Sequence, residues 1–232
     1  YCTSLTSIEI PNSVTSIGGY AFNGSNRLKN VYFDGTIEDW CNIKFIYDYS
    51  NPMYYAEHFY MLNEFNEYYE VTEIVIPDTV TSIDDYQFYG FDNVTSISIP
   101  NSVTSIGDSA FSGCYGLTSI EIPNSVTSIG YRAFYQCSNL TSIEISNNVT
   151  CIGNYAFDGC TSLTYNIYDN AKYLGNSENP YLVLCESIND EITSNIIHDN
   201  TKFILGGAFY GCSNLTSIEI PNSVTSIGDY VC

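Results

Sequence analysis

A block of 23 residues, LTSIEIPNSVTSIGxxAFxxCSN, recurs almost unchanged along the chain and constrains its fold more than any other feature. A fixed period in this range marks a solenoid, in which each unit buries its apolar side chains only against its neighbours. In register, copies span 5–27, 71–93, 94–116, 117–139, 140–162 and 192–214, and a shortened copy runs from Leu215 to Cys232. The chain therefore reads as a single solenoid over 1–232, with two irregular segments, 28–70 and 163–191.

Within a copy the apolar residues hold fixed offsets: Leu5, Ile8, Ile10, Val14, Ile17, Ala21, Phe22, then again Val94, Ile97, Ile99, Val103, Ile106, Ala110, Phe111. Ile8–Glu9–Ile10 alternates as a half-buried strand does. Pro11–Asn12–Ser13 cannot continue a ladder and predicts a turn. Val14–Ile17 reads as a second extended piece, and Ala21–Phe22 as the start of a short helical or 3₁₀ turn that carries the chain back.

The spacing Leu-x-x-Ile-x-Ile-Pro-x-x-Val-x-x-Ile-Gly-x-x-Ala-Phe-x-x-Cys resembles the BspA-like, or treponemal-type, leucine-rich repeat. The resemblance implies an α/β repeat solenoid: a curved, right-handed stack of coils with a parallel sheet on its concave side. It further implies an extracellular or cell-surface protein of the adhesin type, binding a host or neighbouring-cell protein or glycan. The competing class is a structural spacer or self-associating solenoid without an external ligand. The irregular segments fall outside the family pattern.

Composition narrows the partners. Twenty-six acidic residues against six basic ones give a formal net charge of −20, a field that repels nucleic acid and anionic membrane surfaces. The same charge keeps a sheet-rich array soluble and discourages edge-to-edge pairing. No run of 18 apolar residues suggests membrane insertion. The start at Tyr1–Cys2–Thr3–Ser4, the tail of a repeat, suggests an excised or processed segment. The two end coils predict a weak head-to-tail self-association, with Leu5, Ile8 and Ile10 at one end meeting Ile218, Ile220, Val224 and Ile227 at the other.

Nine cysteines are an odd number, which argues against a fully paired disulfide framework. Cys114, Cys137 and Cys160 share one offset in consecutive coils, Cys212 shares it later, and stacking would align them as a buried ladder. Cys151 replaces a solvent-side serine and is expected to be exposed. No Cys-x-x-Cys or Cys/His cluster points to a metal, and no cofactor motif is present. The two histidines, His58 and His198, are far apart in the array, and no nucleophile elbow or phosphate loop occurs. A stack of coils is expected to offer a surface rather than a pocket, so no catalytic residue is assigned and no enzyme activity is expected.

The irregular segments carry the candidate binding residues. Thr36 is placed to cap a helix beginning Ile37–Glu38–Asp39–Trp40, and Pro52 to open a second short helix through His58. Phe59–Leu62 and Tyr68–Val71 flank a turn as a hairpin would. Segment 163–191 repeats the pattern, with Ala171–Leu174 and Tyr181–Leu184 around a Gly/Asn/Pro loop, predicting a hairpin that projects from the stack. Because aromatic rings are what binding surfaces favour, Trp40, Tyr54, Tyr55, Tyr60, Tyr68 and Tyr69 form one candidate recognition patch. The opposing reading is a private core that glues the insertion to the solenoid. A second candidate surface is the face of the first strand, where Glu9, Tyr32, Glu121 and Glu144 occupy one outward column beside a column of threonines.

Overall fold

The computed structural model describes residues 2–232. Each regular coil makes two short strands joined by the proline turn, in which the valine N–H bonds the proline carbonyl three residues back: Val80 to Pro77 at 3.0 Å, Val103 to Pro100 at 3.1 Å. The first strands of four consecutive coils, Glu73–Val75, Ser96–Ser98, Ser119–Glu121 and Ser142–Glu144, pair in parallel with Ile74, Ile97, Ile120 and Ile143 in register. The second strands, Ser82–Ile83, Ser105–Ile106, Ser128–Ile129 and Cys151–Ile152, form a parallel ladder of their own. One apolar side chain per strand is thereby delivered to the interior of every coil.

That interior is a set of continuous columns. Phe88, Phe111, Phe134 and Phe157 stack at ring-centroid distances of 5.6, 5.2 and 5.7 Å. Beside them the thiols of Cys114, Cys137 and Cys160 each donate to a phenylalanine carbonyl of the preceding coil, at 3.1, 3.1 and 3.0 Å. The expected cysteine ladder is therefore buried, and Cys212 is buried too, while Cys151 is exposed, as are Cys2 and Cys232. The threonine column also locks coils together. Thr95, Thr118 and Thr141 each give their hydroxyl to the carbonyl of the threonine one coil earlier, at 3.2, 3.2 and 3.0 Å.

The expected solenoid thus stands in its strands and its stacking, with less helix than the sequence suggested. The Ala-Phe segments are hydrogen-bonded turns and form no helix, because each has only room for i to i+3 bonds before a left-handed residue reverses the chain. Gly90, Gly113 and Gly159 hold that position at φ +73, +72 and +78°, and Gln136 takes it at +59°. Helix is confined, among the described residues, to Ile37–Cys41 and to the 3₁₀ turns Asp48–Ser50 and Pro52–Tyr54. In the first, Thr36 is the N-cap as predicted, and Asp39 completes a reciprocal capping box with it. The second predicted helix ends at Tyr54 instead of His58, because His58–Leu62 is drawn into a strand.

Both irregular segments are built into the stack rather than hung from it. Asn30–Asp34 and His58–Leu62 extend the sheet of Ser7–Pro11 in parallel, and only then does Tyr68–Glu70 turn back antiparallel. In the second segment Asn166–Tyr168, Ala171–Leu174 and Val183–Ser187 form an antiparallel meander, but Val183 and Leu184 pair in parallel with Phe203 and Ile204 of the next coil. The hairpin predicted there forms between Ala171–Leu174 and Val183–Ser187, but as an inserted wedge whose second strand joins the stack rather than projecting from it. At the outer coils, Ile220 and Ile227 are exposed and Ile8 is half-buried, whereas Ile10 is 4% exposed and presents no apolar face of its own.

Candidate functional site

The structure splits the predicted aromatic patch among four places. Trp40 does not belong to a surface at all. It is fully buried, ringed by Phe33, Phe45, Phe59 and Phe91 at 4.7–5.7 Å, and its Nε1 donates to the Gln87 carbonyl at 2.9 Å. Its assignment as a ligand-binding residue is therefore corrected: the segment uses its largest apolar ring to anchor itself to the coil that follows.

Tyr54 and Tyr55 lie on the turn side of the stack, away from the strands. Tyr54 packs on Tyr49 at 4.6 Å, on Tyr55 at 4.8 Å and on Tyr89 of the next coil at 5.5 Å. The Tyr55 hydroxyl accepts the Gly24 N–H at 3.3 Å. Burial pushes the Tyr54 phenol up to about 12, with the Tyr49 hydrogen bond adding to it. These two rings bridge coils, as the gluing alternative anticipated.

Tyr32, Tyr60 and Tyr68 do come together, on the outward face of the first-strand sheet. Register alone dictates this: Glu9 pairs Tyr32, Tyr32 pairs Tyr60, and Tyr60 pairs Glu70, so all four share one side. Tyr32 and Tyr60 stack at 4.9 Å with 17° between their planes, and Tyr68 meets Tyr32 edge-on at 4.8 Å. Tyr68 donates its hydroxyl to Asp34, which pushes the phenol up to about 12. Tyr69 pairs Met61 and so points to the other side of the hairpin, 46% exposed.

A polar cluster borders the stack. Glu70 Oε1 lies 2.6 Å from His58 Nδ1 and accepts from Asn93 Nδ2 at 2.9 Å. The His58 contact, ahead of the Asn93 bond, holds the Glu70 carboxyl below its usual range. Glu9, Asp34 and Glu70 thus place three carboxylates around two half-buried tyrosine rings. Neither His58 nor Asn93 was singled out from sequence as part of a site; the strand register of His58 opposite Asn30 was the available signal.

Glu121 and Glu144 are side by side on the same face further along the stack. With Ser98 and the turn amides of Asn101, Asn124 and Asn147 they line a polar groove of about 570 Å³. Its end is closed by the loop of the second irregular segment, where Asn147 Nδ2 reaches Glu178 Oε2 at 3.3 Å.

The expectation of a pocket-free stack does not hold. A cleft of about 790 Å³ opens between the turn of coil 140–162 and that of coil 192–214, floored by the inserted wedge. Among the described residues, no group of three or more His, Cys, Asp or Glu side chains is arranged to hold a metal ion. No helix among them is long and apolar enough to cross a membrane.

The model of the BspA type leucine rich repeat region matches six copies, over residues 1–50, 62–178 and 187–232. No curated protein matches the chain significantly. Among solved structures, a leucine rich cell surface protein from Faecalibacterium prausnitzii is 31% identical over 97% of this chain, with a TM-score of 0.47. This chain spans 57% of that protein's length. The T. pallidum leucine rich repeat protein is 18% identical, covering 97% of this chain and 73% of its own, with a TM-score of 0.39. The pneumococcal vaccine antigen PcpA is 18% identical over 73% of this chain and 50% of its own, with a TM-score of 0.43. With the repeat model matched along most of its length and the strand register repeating at the same period, the chain belongs to the BspA-type leucine-rich-repeat family.

Proposed function

We propose that the chain is a non-enzymatic, cell-surface recognition module of the adhesin type, and that its sheet face binds a partner protein through a basic segment. One observation carries this reading: the stacked, half-buried pair Tyr32–Tyr60 lies on the outward strand face with Glu9, Asp34 and Glu70 around it. A lysine or arginine set over a tyrosine face gains from the ring's quadrupole, and nearby carboxylates add ion pairing. The chain's overall charge steers a basic partner towards it. The surface location rests on what the family implies.

A second reading, a hydroxyl-rich glycan ligand, is favoured by the groove of Glu121, Glu144 and the aligned asparagines, whose side chains both accept and donate hydrogen bonds along its mainly polar lining. A fluorescent lysine- and arginine-rich peptide and a glycan array separate the two. Peptide binding that saturates, weakens with salt and drops at least tenfold in the Tyr32→Ser/Tyr60→Ser double variant supports the first. Glycan binding lost in Glu121→Gln/Glu144→Gln, with no peptide binding, replaces it by the second. Binding of neither leaves the spacer as the function.

A further inference from the structure

With 26 acidic residues for six basic ones, a half-buried cation in this chain is expected to find a carboxylate. Lys29 lies 3.8 Å from Glu57, and Lys172 lies 2.8 Å from Glu186. Arg132 is half-buried and has no such partner. Among the described residues no carboxylate reaches it, and its guanidinium makes no hydrogen bond. Its Nε is sealed from water without an acceptor, so only the two terminal nitrogens are left to meet the solvent. A guanidinium carries five N–H donors in a planar fork, and here all five lack a protein acceptor.

The repeat explains how this side chain is held. Tyr86, Ser109, Arg132 and Tyr155 occupy one position of the turn in four successive coils, each at a φ between +52 and +60°. The Arg132 N–H bonds the Asn154 carbonyl at 3.1 Å, and the Tyr135 N–H bonds the Arg132 carbonyl at 3.0 Å, which fixes the backbone on both sides. Register then sets three phenol rings around the guanidinium: Tyr131 just before it, Tyr135 one turn on, Tyr155 one coil on. The guanidinium carbon lies 5.1, 4.7 and 5.8 Å from their centroids, within the ~6 Å reach of a cation–π contact. Gln136 borders the cluster, its Oε1 taking the Tyr115 hydroxyl at 3.1 Å and its Nε2 reaching the Tyr135 hydroxyl at 3.3 Å. Ring faces attract the cation but supply no acceptor in the plane of the fork, where a carboxylate binds.

We propose that Arg132 and its three tyrosines form a binding site for a sugar acid, a pyranose that carries one carboxylate. The carboxylate accepts from the terminal nitrogens of Arg132, the flat C–H face of the ring lies on Tyr131, and the sugar hydroxyls meet the polar groups of Tyr135 and Gln136. The field of the whole chain sets the valency. At a net charge of −20, a singly charged ligand gains the one local cation, whereas a polyanion brings further charges that are repelled. The site therefore takes an isolated acidic sugar and rejects a sulfated or polyuronate chain. It lies on the turn side of the stack, so it stands independently of both sheet-face readings above.

The chain has two arginines, Arg27 and Arg132, so an isotope-labelled sample gives two Nε–H signals in nuclear magnetic resonance, and the one missing from Arg132→Lys is assigned. Methyl β-glucuronide shifts the Arg132 signal along a saturating curve and leaves that of Arg27 in place. Methyl β-glucoside, the ring without the carboxylate, and acetate, the carboxylate without the ring, each bind at least tenfold more weakly. Tyr131→Ser, at a ring that is 39% exposed, lowers affinity for the glucuronide at least fivefold with an unchanged melting curve, and Glu121→Gln/Glu144→Gln leaves it as it was. An Arg132 signal that stays in place at saturating glucuronide overturns the proposal, whatever the variants do. Acetate binding as tightly as the glucuronide also overturns it, leaving a bare anion contact. So does displacement of the sugar by heparin, because the field would then select nothing.

Discussion

Replacing Phe134 by alanine tests the packing of the whole array. The ring is fully buried between Phe111 at 5.2 Å and Phe157 at 5.7 Å, nearly parallel to both. Burying a phenylalanine contributes about 1.5–3 kcal/mol, and each stacked neighbour adds about 0.5–1.5 kcal/mol. With a cavity that rigid coils on either side cannot close, the expected loss is about 3–5 kcal/mol. Phe22 provides the contrast: it is 8% exposed and has no aromatic ring packed on it among the described residues, so Phe22→Ala should cost less. Urea unfolding followed by two probes measures both the size and the spread. Far-UV circular dichroism reports all coils, and the emission of the single, buried tryptophan reports the neighbourhood of residue 40. Because coils are coupled through nearest neighbours, both transitions should move to lower urea together. A change under about 1 kcal/mol would show that the ring is not the interior residue described here. A shift in the first probe alone would show that the coils near Trp40 fold independently.

Two further outcomes follow from the environments of single groups. A thiol reagent should label Cys2, Cys151 and Cys232 first in the native protein and reach Cys114, Cys137 and Cys160 only on unfolding, since burial pushes the Cys114 thiol up and their sulfurs are tied to carbonyls; early labelling of the ladder in a peptide map would overturn this. Burial, helped by the nearby charge of Glu57, raises the Asp92 carboxyl from 3.8 to about 7, so its destabilising effect is absent below the lower value and complete above the higher one. Asp92→Asn should therefore gain on the order of 1 kcal/mol at pH 8 after allowing for solvent screening, and nothing near pH 3.5; melting curves displaced equally at both pH values would refute it.

What was legible in the sequence was whatever the period itself determines. Ile97–Ser98–Ile99 and its counterparts announce one buried side chain per strand turn, and the threonine and cysteine columns follow once the coils are stacked in register. Local chemistry was legible too, as in the N-cap at Thr36. The destination of Trp40 was not, because its partner Gln87 lies 47 residues away and no local pattern links them. The cleft escaped for a different reason. The missing Ala-Phe pair of 163–191 can be seen in the sequence, but whether other residues fill the gap is decided by tertiary packing, which differs between the two irregular segments. Of the candidate site residues, Tyr32, Tyr60, Tyr68 and Glu9 were brought together by pairing register, and Tyr54 and Tyr55 were drawn elsewhere by inter-coil stacking.

Nearly identical coils pose a problem for a folding chain that the Trp40–Gln87 pairing answers. Coils 94–116 and 117–139 could exchange places with little change in energy, so an array of such units alone has several almost degenerate ways to align. Only one regular coil carries a polar residue where the others carry alanine, namely Gln87 beside Phe88. Its backbone carbonyl receives the indole N–H, and its side-chain amide reaches back to the Trp40 carbonyl. Any other coil docked against Ile37–Cys41 would lose that side-chain bond while the Trp40 carbonyl keeps the Ile43 N–H at 3.1 Å, a difference of about 0.5–1.5 kcal/mol. The irregular segment thus acts as an index mark, telling an otherwise uniform stack which coil comes next and lowering the population of frame-shifted assemblies.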